Sequence, residues 1–264
     1  MKANRLGAWI DTLQASGRYC FQRNEAIQAT GLSKESAKKA IQRMVANQRL
    51  AKVKEYFFVI VPIEYRNLGS PPASWFVDQF MAAVHLPYYV GLLSAASLHG
   101  ASHQQPQEFQ IVTTKSMRPL TVARQRLHFV SKKRMERTAR ISMKTPTGHI
   151  QVSTVEATAL DLVEFSHAAG GLGNIATILS ELASKMAPEQ LIAAAEGVEE
   201  YTVVQRLGFL LDSLGEARLS DPLAKWLVGQ KPRFVPLVPS EPKRNVRRDQ
   251  RWKLIVNDVI EVEV

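Results

Sequence analysis

The sequence predicts an α+β chain: a winged helix-turn-helix over residues 1–66, followed by a larger mixed α/β domain over residues 73–264. Three observations lead there. Behind Ser33, the residues Ala37, Ala40, Ile41, Met44 and Val45 recur at helical spacing, and two β-type runs follow, Leu50–Val53 and Tyr56–Val61, joined at Lys54-Glu55. Next, Asn67-Leu-Gly-Ser-Pro-Pro72 can continue neither a helix nor a central strand and so marks a boundary. Beyond it, strand patterns crowd the stretch before Ser153 and helical patterns the stretch after it.

The elements follow in order. Leu6–Ala15 reads as a helix with Leu6, Trp9, Ile10 and Leu13 on one face, stopped by Ser16-Gly17. Tyr19–Phe21 is a short strand, with Cys20 packed as a small buried hydrophobe. Arg23–Thr30 is a short helix closed by Gly31, the residue type that ends a helix in the left-handed conformation. Ser33 caps the next helix by accepting an amide of its first turn. After the boundary, Trp75–Val84 and Tyr88–His99 read as helices, and Phe109–Thr113 and Leu127–Val130 as strands. Ile141–Lys144 and His149–Ser153 read as a hairpin turning at Thr145-Pro-Thr-Gly148. Ser153-Thr-Val-Glu156 has the form of a capping box opening the helix Val155–Phe165. Helices near Asn174–Ser184, Pro188–Glu196, Thr202–Leu214 and Pro222–Val228 follow, the last with Pro222 in its first turn, where a missing amide is harmless. Arg233–Val238 and Trp252–Val256 close the chain as strands.

Charge is distributed unevenly over these elements. The net charge of the 264 residues is +10; residues 1–66 carry +7, 67–150 another +7, 151–231 carry −6 and 232–264 carry +2. A strongly basic half favours a polyanionic partner, because lysine and arginine release the counterions condensed on phosphates. On the helix behind Ser33, the face opposite the apolar stripe carries Lys34, Ser36, Lys38, Lys39, Gln42 and Arg43, residue types that meet phosphates and base edges in the DNA major groove. Lys52 and Lys54 are the matching wing residues. A second cluster, Arg124, Arg126, Lys132, Lys133, Arg134, Arg137 and Arg140, is interleaved with Leu127, Phe129 and Val130 and opposed only by Glu136. A third runs from Lys243 to Arg251. The plain alternative for any such run is a solvated face.

Catalytic and metal chemistry find no footing. The single cysteine excludes an internal disulfide and a cysteine-rich zinc site. His99 and His103 are four apart, but Gly100 lies between them and no carboxylate stands near, so His99 reads as a helix end rather than a ligand. Asp161 and Glu164, like Glu196, Glu199 and Glu200, read as solvated helix faces. Gly170-Gly-Leu-Gly173 lacks the Lys-Ser/Thr of a phosphate loop, and Gly-x-Ser-x-Gly is absent. The expectation is a non-enzyme without cofactor, catalytic residue or metal. No apolar run approaches membrane-spanning length and no signal peptide is seen, so a soluble cytoplasmic chain without membrane contact is expected.

Several segments carry a resemblance. Tyr-Tyr-Val-Gly-Leu-Leu-Ser-Ala-Ala-Ser-Leu-His-Gly-Ala (Tyr88–Ala101), Phe-Gln-Ile-Val-Thr (Phe109–Thr113) and Val-Ser-Thr-Val-Glu-Ala-Thr-Ala-Leu-Asp-Leu-Val (Val152–Val163), in this order behind a winged helix, resemble the AbiEi family, antitoxins of AbiE-type (type IV) toxin–antitoxin systems. Where that family commonly has Pro before the capping glutamate and Arg or Lys after it, this chain has Val155 and Ala157. The resemblance implies a C-terminal antitoxin domain that counteracts a nucleotidyltransferase-like toxin. It also implies a winged helix that binds inverted repeats in its own promoter DNA as an autorepressor. Two other readings stand beside it: a ligand-responsive winged-helix regulator without a toxin partner, and a nucleic-acid-processing enzyme. The latter would need acidic residues with lysine at strand ends, and Ile111–Lys115 supplies a lysine with only Glu108 nearby.

Overall fold

The structure is a computed structural model and describes residues 5–101, 106–198, 200–242 and 246–258. It is a mixed α/β chain with ten α-helices and three sheets among the described residues. Two compact units divide it: residues up to Tyr89 with Gln107–Lys133 and Ser142–Gln151, and Val90–Pro106 with Arg134–Ile141 and everything from Val152 on.

The first unit begins with α1 (Arg5–Ala15), β1 (Cys20–Gln22), α2 (Arg23–Thr30), α3 (Lys34–Ala46), β2 (Leu50–Lys54) and β3 (Phe57–Ile60). This order of helices and hairpin is compatible with a winged helix-turn-helix. The three strands form an antiparallel sheet in the order β1-β3-β2, with Phe21 opposite Phe58 and Ala51 opposite Val59. Their core gathers Leu6, Ile10 and Leu13 of α1, Ala40 and Ile41 of α3, and Phe21, Leu50, Phe58 and Ile60 of the sheet. Gly31 takes φ +64° and its amide bonds the Ile27 carbonyl, so the chain turns between α2 and α3 without steric cost. Cys20 is buried as expected, and burial pushes its thiol up to about 12.

The chain does not leave this module by a loose tether. Asn67–Pro72 does break the regular elements, but Ser70 is fully buried and Gln125 donates to its hydroxyl at 2.7 Å and to the Pro71 carbonyl at 2.6 Å. A Cβ on Gly69 would fall 2.6 Å from the Ala123 Cβ. The next helix, α4 (Val77–Ala83), is shorter than expected, because Ala73–Trp75 winds as a separate 3-10 turn. A six-stranded sheet follows, of β4 (Tyr88–Val90), β5 (Glu108–Thr113), β6 (Leu120–Val122), β7 (Gln125–Ser131), β8 (Arg140–Thr145) and β9 (Gly148–Ser153), ordered β6-β7-β5-β4-β9-β8. β5 and β7 are parallel, with Ile111 opposite Phe129, and the division between units falls inside β4, β8 and β9.

β4 corrects the reading of Tyr88–His99 as one helix. Tyr88, Tyr89 and Val90 are aromatic or β-branched and buried, which suits an inner strand; the helix, α5 (Leu92–Leu98), starts only after Gly91. The capping box moves too. Thr154, not Ser153, caps α6 (Val155–Glu164) by accepting the Ala157 amide, while Glu156 turns inward to accept the Ala187 amide at 3.0 Å.

The second unit is mainly helical: α6 lies among α5, α7 (Gly171–Leu182), α8 (Pro188–Glu196) and α9 (Tyr201–Ser213). Being surrounded, α6 buries every residue from Glu156 to Val163, and Asp161 is fully buried. This overturns its reading as a solvated carboxylate, since single-sided amphipathicity does not apply to a helix packed on several sides. α10 (Ala217–Gly229) begins five residues before Pro222, which therefore sits inside the helix. The buried stripe Leu219, Leu223 and Leu227 outweighs the missing hydrogen bond there. A small sheet, β10 (Val235–Pro236), β11 (Arg247–Asp249) and β12 (Leu254–Val256), ends the described chain. Trp252 is fully buried and its Nε1 donates to Asp212 at 2.6 Å. A Cβ on Gly208 would lie 2.0 Å from its ring, so only glycine lets α9 approach the indole.

One strand ties the first unit together. Phe57 and Phe58 are neighbours on β3 and point to opposite faces: Phe58 into the helical core, Phe57 onto Phe80 at 5.4 Å between ring centroids, and Phe80 onto Phe129 at 6.4 Å. Phe57→Ala should therefore destabilise the unit by about 3–5 kcal/mol in urea unfolding while keeping a single transition. Tyr56→Ala, at the exposed turn, should stay within about 0.5 kcal/mol. A second, early transition confined to the residues before Pro62 would contradict this arrangement.

Candidate nucleic-acid interface

α3 owes its two faces to its sequence. Ala37, Ala40 and Ile41 are buried; Lys34, Ser36, Lys38, Lys39, Gln42 and Arg43 are exposed. The helix starts where expected: the Ser33 hydroxyl accepts the Ser36 amide at 3.3 Å and lies 2.9 Å from the Ser36 hydroxyl. Ser33 and Ser36 thus hold the helix end as well as lying on its solvent side.

The charges around α3 are sorted. Asp11 binds Arg49 at 2.7 Å, Glu25 binds Arg18 at 2.6 Å, and Glu55 binds Lys52 at 2.7 Å. Among the described residues Lys34, Lys38, Lys39 and Arg43 have no carboxylate partner. The helix thus presents four unneutralised cations while Asp11, Glu25 and Glu55 are engaged elsewhere, with Glu35 the one carboxylate on α3 itself. Such a face attracts an anionic polymer at ordinary ionic strength.

The β2–β3 hairpin, the wing of the sequence reading, is less positive than the sequence suggests. β2 runs on to Lys54, so the turn is Glu55-Tyr56, and a bulge interrupts pairing between Lys52 and Lys54. The Lys52 ammonium, hydrogen-bonded to Glu55, holds that carboxyl below its usual range. Arg23 also reaches the turn, donating to the Glu55 carbonyl and lying 5.9 Å over the Phe58 ring. Glu55 therefore fastens the wing and offsets Lys52, an effect that a count of basic residues misses. Lys54 keeps no such partner among the described residues.

The second basic cluster is divided between the two units. Leu127, Phe129 and Val130 are buried. Arg124, Arg126, Lys132 and Lys133 belong to the first unit, and Arg134, Arg137 and Arg140 to the second. Arg124 follows β6, which lies against β2 of the wing. Arg126 binds Glu108 at 2.9 Å, and His128 Nδ1 meets the other oxygen of that carboxylate at 2.7 Å. Arg134 and Lys132 also have partners.

His99 closes α5, with Nε2 2.8 Å from the Ser153 carbonyl; His103 lies outside the described residues, as do Lys243 and Arg244. Among the described residues no three His, Cys, Asp or Glu side chains gather as a metal site, and no helix is long and apolar enough to cross a membrane.

Comparison with known proteins adds the family. Residues 89–213 match the family described as the AbiEi antitoxin C-terminal domain. The match supports an AbiEi-family antitoxin, with the toxin–antitoxin context and the toxin partner that such a family implies. No curated protein matches. The crystal structure of the RV2827C protein from Mycobacterium tuberculosis is similar over 96% of this chain and 90% of that one, with a TM-score of 0.68 and 14% identity, a likeness of fold alone. An antigenic nucleotidyltransferase-like protein from Paracoccidioides brasiliensis overlaps 57% of this chain and 90% of its own, at 11% identity, with a TM-score of 0.39, too low to indicate a common fold.

The capping role of Ser33 can be tested apart from any ligand. Ser33→Ala should cost about 1 kcal/mol of stability by urea titration, and Ser33→Asp should restore it. Equal stability of Ser33→Ala and the parent would remove the hydroxyl from the helix start.

Proposed function

We propose that the chain is the antitoxin of a type IV toxin–antitoxin system, which binds inverted repeats in its own promoter as an autorepressor and counteracts a nucleotidyltransferase-like toxin. DNA binding falls to the winged helix of residues 1–66, and antitoxin activity to residues 73–264. These are assignments to stretches of sequence, not to separable bodies, because Phe57 packs on Phe80. The family match supports the antitoxin role. The observation that carries the DNA role is the set of four exposed, unpaired cations on α3.

In this reading α3 enters the major groove. Lys34, Lys38 and Lys39 meet phosphates, Gln42 and Arg43 reach base edges, and Ser33 and Ser36 lie at the end nearest the backbone. Lys54 of the wing and Arg124 after β6 extend the phosphate contacts without reading sequence; Lys52 adds less, being paired with Glu55. Arg126, Lys132 and Lys133 of the first unit, and Arg134 and Arg137 of the second, are further candidates for contacts to promoter phosphates. The role is non-enzymatic, and the setting is the cytoplasm.

Joint substitution Lys38→Ala and Lys39→Ala should weaken binding to a promoter fragment and lower the salt slope of log K by roughly two, one for each lost phosphate contact. Gel-shift titrations at several salt concentrations measure this. Unchanged affinity and slope would remove α3 from the interface. The same variant should still rescue growth when its toxin is expressed from an independent promoter; loss of rescue there would tie the two jobs to one surface.

A further inference from the structure

The second unit holds a recess that the antitoxin reading does not use. It has a volume of about 500 Å³ and lies between the end of α10 and the Gln250–Lys253 turn, within the size range of small-molecule sites. Lys225, Lys231, Arg251 and Lys253 line it, and no carboxylate does. Arg251 is already balanced: it binds Asp221 at 2.6 Å and Asp212 at 3.3 Å, and its guanidinium lies 5.4 Å over the Trp252 ring. It is a fixed wall. The three lysines are different. Lys253 has only the Gln250 amide oxygen at 3.3 Å and the Phe234 ring at 5.2 Å, and Lys225 and Lys231 have no carboxylate partner among the described residues.

Two further features set this recess apart. Lys231 and Lys253 both hold positive φ, +52° and +51°, a conformation that non-glycine residues seldom adopt. Strained backbone of this kind concentrates at ligand sites. A helix C-terminus attracts cations, which accounts for Lys225 and Lys231 near the end of α10, but Lys253 arrives from a separate segment. The recess also has an apolar side: Val228 is 72% exposed and lies beside Pro232.

We infer that this recess binds a nucleoside triphosphate, its phosphate chain on Lys225, Lys231 and Lys253 and its base against Val228 and Pro232. A concave site with an apolar wall suits a compact ligand of this kind. A nucleic-acid backbone is instead met by a long basic groove. The inference is independent of the α3 interface and brings a second, small ligand to the same chain.

The test is calorimetric titration of the full-length chain with ATP, AMP and a short single-stranded oligonucleotide. ATP should bind, and AMP should bind about tenfold more weakly, having fewer charges to meet the lysines. Joint Lys225→Ala and Lys231→Ala should weaken ATP by about tenfold or more, whereas Lys225→Arg and Lys231→Arg together should retain it, since the charge is kept. Val228→Asp should also weaken ATP by putting a charge in place of the apolar wall that the base packs against. Promoter binding measured on the same variants should be unchanged, which separates this site from α3. Absence of ATP binding by the parent chain, or binding indifferent to these substitutions, would overturn the inference. So would variants that lose the oligonucleotide but not ATP, because the recess would then hold nucleic-acid phosphates.

Discussion

β3 is buried on both of its faces, and the first unit depends on that. Alternation along a strand sends Phe58 into the core made by α1, α3 and the small sheet, and Phe57 onto Phe80, which in turn meets Phe129 of the larger sheet. Two adjacent residues thus close two cores. Around them Trp75 receives Tyr19 at 5.1 Å and Tyr65 at 5.3 Å, and Gln125 holds the segment at Ser70. In the proposed DNA-binding role, α3 must keep its direction to keep its specificity. α3 inherits its direction from a strand fixed on both sides, not from a tethered module that could swing.

The electrostatic arrangement builds on that frame. Three acidic side chains in the helix-and-hairpin module fasten structure: Asp11 to Arg49, Glu25 to Arg18, Glu55 to Lys52 and Arg23. Each exposed pair adds little stability. Their common consequence is that positive charge survives on α3 and is trimmed at the wing. Sorting the charges in this way matters more to a polyanion than the net total, because the counterions released are those displaced at the contact.

The elements governed by local rules were legible in the sequence. α2 closed by Gly31, α3 opened by Ser33, the hairpin at Thr145–Gly148 and α8 opened by Pro188 all follow from caps and turns that act over a few residues. Where tertiary surroundings decide, the sequence misled. Tyr88–Val90 has a helix-compatible pattern but lies in a strand because it is buried among strands. Asp161 repeats like a surface carboxylate but sits on a helix packed on several sides. Pro222 resembles a first-turn proline yet lies inside α10, where leucine burial dominates. In the candidate interface, the cations of α3 were readable from spacing, whereas the neutralisation of Lys52 and of Arg126 depends on Glu55 and Glu108 and needed coordinates. The recess at Lys225, Lys231 and Lys253 was invisible for the same reason: its lysines come from two segments that only folding brings together.

β3 makes the α3-bearing module and the β5–β7 part of the larger sheet one cooperative body. Hydrogen exchange of the full chain under mildly denaturing conditions tests it most directly. The Ile60 amide, which bonds the Tyr19 carbonyl at 2.7 Å, should open with the same free energy as the Lys132 amide, which bonds the Thr113 carbonyl at 2.9 Å. If the amides of α1, α3 and β3 instead open together at a free energy lower by about 2 kcal/mol or more, the module unfolds on its own and the shared strand does not bind the two cores into one.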